Sequence, residues 1–149
     1  MAKYSVSVDG CSGADPQTVI NLFSAGNARG HIYDILLGSD ATPADQAGSM
    51  EVLRTTAVGT EGAGFTPTKL DPQSKAADCD AGVTHSVEPT ETANSQLLRF
   101  AFNQRATFRW VATPGSELII PATANNGISL VRRASTADFA MDATILFFE

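Results

Sequence analysis

Between Ser95 and Glu149 five short apolar runs follow one another: LLRFAF, ATFRWVA, SELIIP, GISLVRR and DFAMDATILFF. Turn-forming Asn, Gly, Pro or Ser residues separate them, and the last run reaches Glu149. Brief apolar segments punctuated in this way are the pattern of consecutive β-strands, and they leave no length for an amphipathic helix. The final run is the clearest. Phe139, Met141, Ala143, Ile145 and Phe147 share one face, while Ala140, Asp142, Thr144, Leu146 and Phe148 share the other. The second face turns apolar toward its end, so the strand is expected to be buried on both sides near Leu146–Phe148, in an interior or at a subunit junction.

The earlier part of the chain reads the same way. Lys3–Val8 alternates with period two and places Tyr4, Val6 and Val8 on one face, as a short strand or extended arm. Strands are expected at Thr18–Phe23, where β-branched residues cluster, at His31–Leu37 and at Ser49–Val58. Pro43 and Asp45 fit a single helical turn between the last two. Gly59–Val83 is rich in Gly, Pro and Asp and reads as a long loop inserted in mid-chain, with a short edge strand at Val83–Glu88 checked by Pro89.

Roughly eight to ten short strands without a sustained helical period specify an all-β sandwich or barrel, preferably a jelly roll. An immunoglobulin-like sandwich fits less well, because Trp110 follows both Cys11 and Cys79 instead of lying between them. The 149 residues suffice for one sandwich domain spanning 1–149, with residues 1–24 as an N-terminal arm and first strands and 59–83 as the long loop. Trp110, in a half-buried strand with Phe108 and Arg109, is the expected core anchor.

Charged residues make up 17% of the chain, which leaves a surface built from Thr, Ser, Asn, Gln and Gly and suited to broad protein contacts. The net charge is −6, and no basic cluster exceeds Arg132-Arg133, which argues against nucleic acid as a partner. The segment MAKYSVSVDG has no apolar core of a secretory signal, and no run approaches the ~18 apolar residues of a membrane span. The expectation is a chain made in a cytosol, without membrane association. Cys11 and Cys79 belong to no CxxC pair, and two free thiols are the default in a reducing compartment. A disulfide between them would tie the arm to the mid-chain loop.

Catalytic chemistry is sparse. His31 and His85 are the only histidines, and no GxSxG is present. His31 opens an apolar strand and reads as a hydrogen-bonded structural residue. Asp78, Cys79, Asp80, His85 and Glu88 could be drawn together around a metal, but their spacing matches no zinc or EF-hand pattern, and solvated turns explain them more simply. The glycines of GTEGAG lack the Lys and helix of a phosphate loop. The expectation is a protein that is not an enzyme and has no cofactor and no metal. Asn103-Gln104-Arg105 is a polar knot between two strands. It reads either as a hairpin turn whose Arg pairs with a nearby acid or as a donor fork facing another subunit.

The runs GHIYDILLGSDATPADQAG at Gly30–Gly48, TPTKLDP at Thr66–Pro72, FNQRATFRWVA at Phe102–Ala112 and ELIIPATANNGI at Glu117–Ile128 resemble small structural proteins of tailed-bacteriophage virions. The resemblance extends from about Ala25 onward and implies a capsid decoration (cement) protein. Such a protein would sit as a homotrimer on the capsid exterior, partnered by the major capsid protein and assembled in the host cytoplasm. Tyr4 and Val6 in the arm and Asn103, Gln104 and Arg105 in the knot are then the candidate subunit contacts. The alternative is a binding module of a phage tail or fibre.

Overall fold

A computed structural model describes residues 1–12, 15–135 and 139–149. Twelve strands run along the chain: β1 (Lys3–Cys11), β2 (Gln17–Ser24), β3 (Gly30–Ser39), β4 (Ala47–Ala57), β5 (Ala63–Phe65), β6 (Thr68–Lys69), β7 (Cys79–Val83), β8 (Thr90–Asn103), β9 (Phe108–Val111), β10 (Leu118–Ile120), β11 (Gly127–Ser135) and β12 (Met141–Phe148). The described residues hold no helix. The helical turn expected at Pro43 is replaced by bends that lead into β4. A lone Pro and Asp can start a helix, but no apolar face follows them to pack it.

The strands form two antiparallel sheets packed face to face as a β-sandwich. Sheet I has the order β10-β3-β12-β1-β6, with β9 also pairing β3. Sheet II has the order β5-β7-β2-β11-β4-β8. Along the chain the main strands change sheet at every step except from β4 to β8: β1, β3, β9 with β10, and β12 lie in sheet I, and β2, β4, β8 and β11 in sheet II.

One core fills the space between the sheets. Sheet I contributes Val6, Ile32, Ile35, Ile145 and Phe147, and sheet II contributes Ile20, Leu22, Val52, Ile128 and Leu130. Inward residues recur at every second position, as in Ile20 and Leu22 or Ile145 and Phe147, except between Ile32 and Ile35, where a register shift adds one residue to β3. Arg54 ties the sheets at one end by donating to the Ile119 carbonyl at 2.8 Å.

Three expectations are corrected. In residues 1–24 the strand reading holds and the arm does not, because β1 lies between β12 and β6 and β2 lies between β7 and β11. The 59–83 segment is no open loop, because it supplies β5, β6 and β7, and β7 pairs with β2 from Ile20–Val83 to Ser24–Cys79. Val83–Glu88 is no strand: β7 ends at Val83, and only an isolated bridge joins Thr60 to Val87.

The terminal strand is central in its sheet, but its second face is half-buried, not buried. Leu146 and Phe148 point away from the core, and Phe148 stacks on His31 at 4.7 Å and on Tyr33 at 6.1 Å. Asp138, where that strand was expected to begin, lies outside the described residues. Trp110 is partly buried against the core's edge, on a strand that pairs only with β3, and so does not anchor its centre.

Candidate functional site

Of the predicted contact residues, Tyr4 and Val6 are each 0% exposed. The Tyr4 ring stacks on Phe147 at 5.3 Å, and its hydroxyl donates to the Lys75 carbonyl at 3.3 Å. The alternation placed them on a common face, and that face is the sandwich core. They have no surface to offer a neighbour, so their assignment as subunit contacts is corrected.

The Asn103-Gln104-Arg105 knot fastens the loop before β4. Asn103 Nδ2 donates to Asp45 at 2.6 Å, and Arg105 Nε donates to the Pro43 carbonyl at 3.2 Å. Gln104 is buried, its Oε1 accepting from the Ala44 amide at 3.0 Å. Asn103 and Arg105 stay exposed beside this latch.

The residues considered for a metal at Asp78–Glu88 are dispersed. Asp78 pairs with Lys75, and Glu88 accepts from the Thr18 amide and hydroxyl. Cys79 faces the core and its amide donates to the Glu149 carboxylate at 2.7 Å. Cys11 and Cys79 are both free and buried, and burial pushes both thiols up from their ordinary range. His31 uses its ring for the stack on Phe148, a contact that spacing alone does not reveal.

Tertiary pairing creates polar centres that no motif announced. Carboxylate oxygens of Asp9, Asp40 and Asp142 lie within 4.8 Å of one another at the end of sheet I. Asp9 is held above the usual carboxylate range, first by its hydrogen bond with Asp142 and then by the charges of Asp142 and Asp40. On β3, Asp34 is buried beneath Arg109, whose Nη2 lies 2.6 Å from its carboxylate. Glu51 accepts from Arg133 at 2.6 Å and faces Arg99 at 3.3 Å. The Arg132-Arg133 pair makes no basic patch, because Arg132 is buried and Arg133 is engaged by Glu51 and Glu91.

The two outer faces of the sandwich differ. Sheet I leaves His31, Tyr33, Leu36, Leu146 and Phe148 half-exposed on its outer side. A pocket of about 340 Å³ opens there, with Leu36, Gly38, Phe108, Arg109, Asp142 and Thr144 in its wall. On sheet II, Asn21, Leu53, Thr55 and Ser129 of the outer side are all buried. Residues 59–88 extend the edge of that sheet through β5 and β7 and reach sheet I through β6. Gly59 makes the sharp entry: its φ is +71°, and a Cβ there would collide with the Val87 and Glu88 backbone.

Just after β7 sits His85, 6% exposed, with Glu61 against it over Gly82. Burial holds the His85 imidazole below its ordinary value, opposed by the charges of Glu88 and Glu61 and by the Thr18 and Val58 backbone. Glu61 and His85 stand too far apart in sequence for a spacing signal, so their meeting was not foreseen.

No family model matches the chain, and no curated protein or solved structure does either.

Proposed function

We propose that this chain is a virion structural protein of the capsid decoration type, folded as a jelly roll and working as a homotrimer without catalysis. Its partner would be the major capsid protein, on the outside of a capsid assembled in the host cytoplasm. The strand order supports the jelly-roll reading: eight main strands divide into two four-stranded layers, β1-β12-β3-β9/β10 and β2-β11-β4-β8, and change layer at every step except from β4 to β8.

The observation that carries the functional reading is the inequality of the two outer faces. Sheet II carries buried polar groups on its outer side, Asn21, Glu51, Thr55 and Ser129, whereas sheet I presents an aromatic and aliphatic row through Tyr33, Leu36, Leu146 and Phe148. Apolar groups left at a surface favour protein contact, and ~800 Å² per partner suffices for a specific interface. A low content of charge reduces the desolvation cost of such contact. The work would be mechanical, with many modest contacts holding adjacent capsid subunits together.

Electron microscopy of particles assembled without this protein tests the proposal. Lost density on the outer shell and capsids that break at lower temperature are expected. Shells of unchanged density and stability would reject it.

The tail or fibre binding module is favoured by one feature, the pocket bordered by Arg109, Asp142 and Thr144 on sheet I. Copy number separates the two: stoichiometry matching the capsomers supports decoration, and stoichiometry matching the tail supports the module.

A further inference from the structure

Among the described residues, the buried side-chain atoms without a hydrogen-bond partner are Asn21 Nδ2, Glu61 Oε2, His85 Nδ1 and His85 Nε2. They gather at one place. Asn21 pairs with Gly82 across β2 and β7, so both residues address the outer side of sheet II. Where a Cβ of Gly82 would stand, Glu61 Oε2 occupies the space and His85 Nε2 lies 3.0 Å away. Gly64 faces Gly82 from β5, and Glu61 Oε1 lies 3.1 Å from the Cβ position of Gly64. Two glycines in register thus leave a seat for the Glu61 carboxylate that any side chain would fill.

A carboxylate oxygen, an imidazole whose ring nitrogens make no close hydrogen bond and an unpartnered amide nitrogen are unfavourable in the interior unless a ligand satisfies them. His85 is 6% exposed and Asn21 0% exposed, so bulk water does not serve them. Charge selects the class of ligand. Glu61 and Asp80 both line a pocket of about 320 Å³ with Phe23, Gly64, Phe65 and Thr66, and its charged groups are acidic. An anion would be repelled there and a cation attracted.

Imidazole nitrogen beside carboxylate oxygen is the donor set of a borderline divalent ion. Asn21 can supply a further oxygen. Its Oδ1 is now bonded to the Thr55 hydroxyl at 3.1 Å and the Ser129 hydroxyl at 2.9 Å. A hydroxyl donates or accepts, so the carboxamide can turn over, keep these partners and present its oxygen toward Gly82.

We propose that Glu61, His85 and Asn21 bind one divalent cation of the zinc class over Gly82, admitted through the pocket beside Asp80. Water completes the coordination on the pocket side. The ion joins the 59–88 segment to β2 at the edge of sheet II.

Titration of zinc chloride into the full chain by calorimetry, together with X-ray absorption at the zinc edge, tests the site. One ion per chain, imidazole nitrogen among its ligands and a raised Tm are expected. Glu61→Gln keeps the shape of the side chain and should weaken binding roughly tenfold or more. His85→Asn should remove the nitrogen signal, and Asp9→Asn, in the separate acidic trio, should leave affinity unchanged. Should His85→Asn fail to fold, Glu61→Gln carries the test by itself. No zinc uptake, a site without imidazole, or affinity untouched by Glu61→Gln would overturn the proposal.

Discussion

Arg132 and Arg133 are adjacent in β11, and their side chains leave opposite faces of sheet II. Arg132 lies inside at 1% exposure, donating to the Phe139 carbonyl at 3.0 Å and to Asp15 at 2.6 Å, with its guanidinium 5.6 Å from the Phe139 ring. Arg133 lies outside, between Glu51 and Glu91. The period of two turns what looks in the sequence like a basic pair into one core residue and one surface residue.

Arg132→Ala should therefore destabilise the protein by roughly 3 kcal/mol, because it opens a cavity and strips Asp15 and the Phe139 carbonyl of a charged donor. Arg132→Met, which refills the volume, should recover part of that loss. Urea denaturation of both variants measures the difference. Equal stability of wild type and Arg132→Ala would contradict it.

The Glu149 carboxylate accepts from the amides of Asp78 at 2.9 Å and Cys79 at 2.7 Å, fastening the start of β7. Its side chain is 1% exposed, so Glu149→Ala leaves those amides poorly solvated. A cost of about 1–3 kcal/mol is expected. Hydrogen exchange should quicken at Asp78 and Cys79 while β11 and β4 stay protected.

The acidic trio gives a pH signature. Asp9 has its pKa raised in the folded protein, by the hydrogen bond with Asp142 first and then by neighbouring charge. The folded state therefore binds its proton more tightly than the unfolded state does. The resulting stabilisation is present in acid, below the unfolded carboxylate value, and is lost as pH rises through the folded one. Asp9→Asn should raise Tm at neutral pH, and the gain should vanish in acid. A gain independent of pH would refute this account.

Cys11 and Cys79 are buried, and desolvation raises both thiols, with Glu149 next to Cys79 adding to its shift. Thiolate is the reactive form. Neither cysteine should be alkylated by iodoacetamide in the native protein, and both should react once urea unfolds it. Mass spectrometry reads the outcome, and rapid native labelling of Cys79 would place it elsewhere than in the core.

Legibility followed locality. In β12 apolar residues recur every second position and in β3 they form a dense run, so both strands announce themselves. β5, β6 and β7 do not, because AGF, TK and CDAGV carry little local propensity. They are strands because β7 pairs with β2 and β6 with β1. The Asp9–Asp40–Asp142 trio and the Glu61–His85–Asn21 group escaped for the same reason, as their members arrive from separate strands and loops.

The amino-acid sequence by itself determined the all-β class, the strands of the C-terminal third and the alternation that divides inward from outward residues. These follow from side-chain spacing on an extended backbone. Which face became the core was a tertiary decision. Tyr4 and Val6, which read as an arm's contact surface, became interior once β1 entered between β12 and β6. The same decision paired β5 and β7 onto the edge of sheet II and set His85 beside Glu61. The physical reason is that strand pairing and burial are satisfied only by partners distant in the chain, and no local pattern names them.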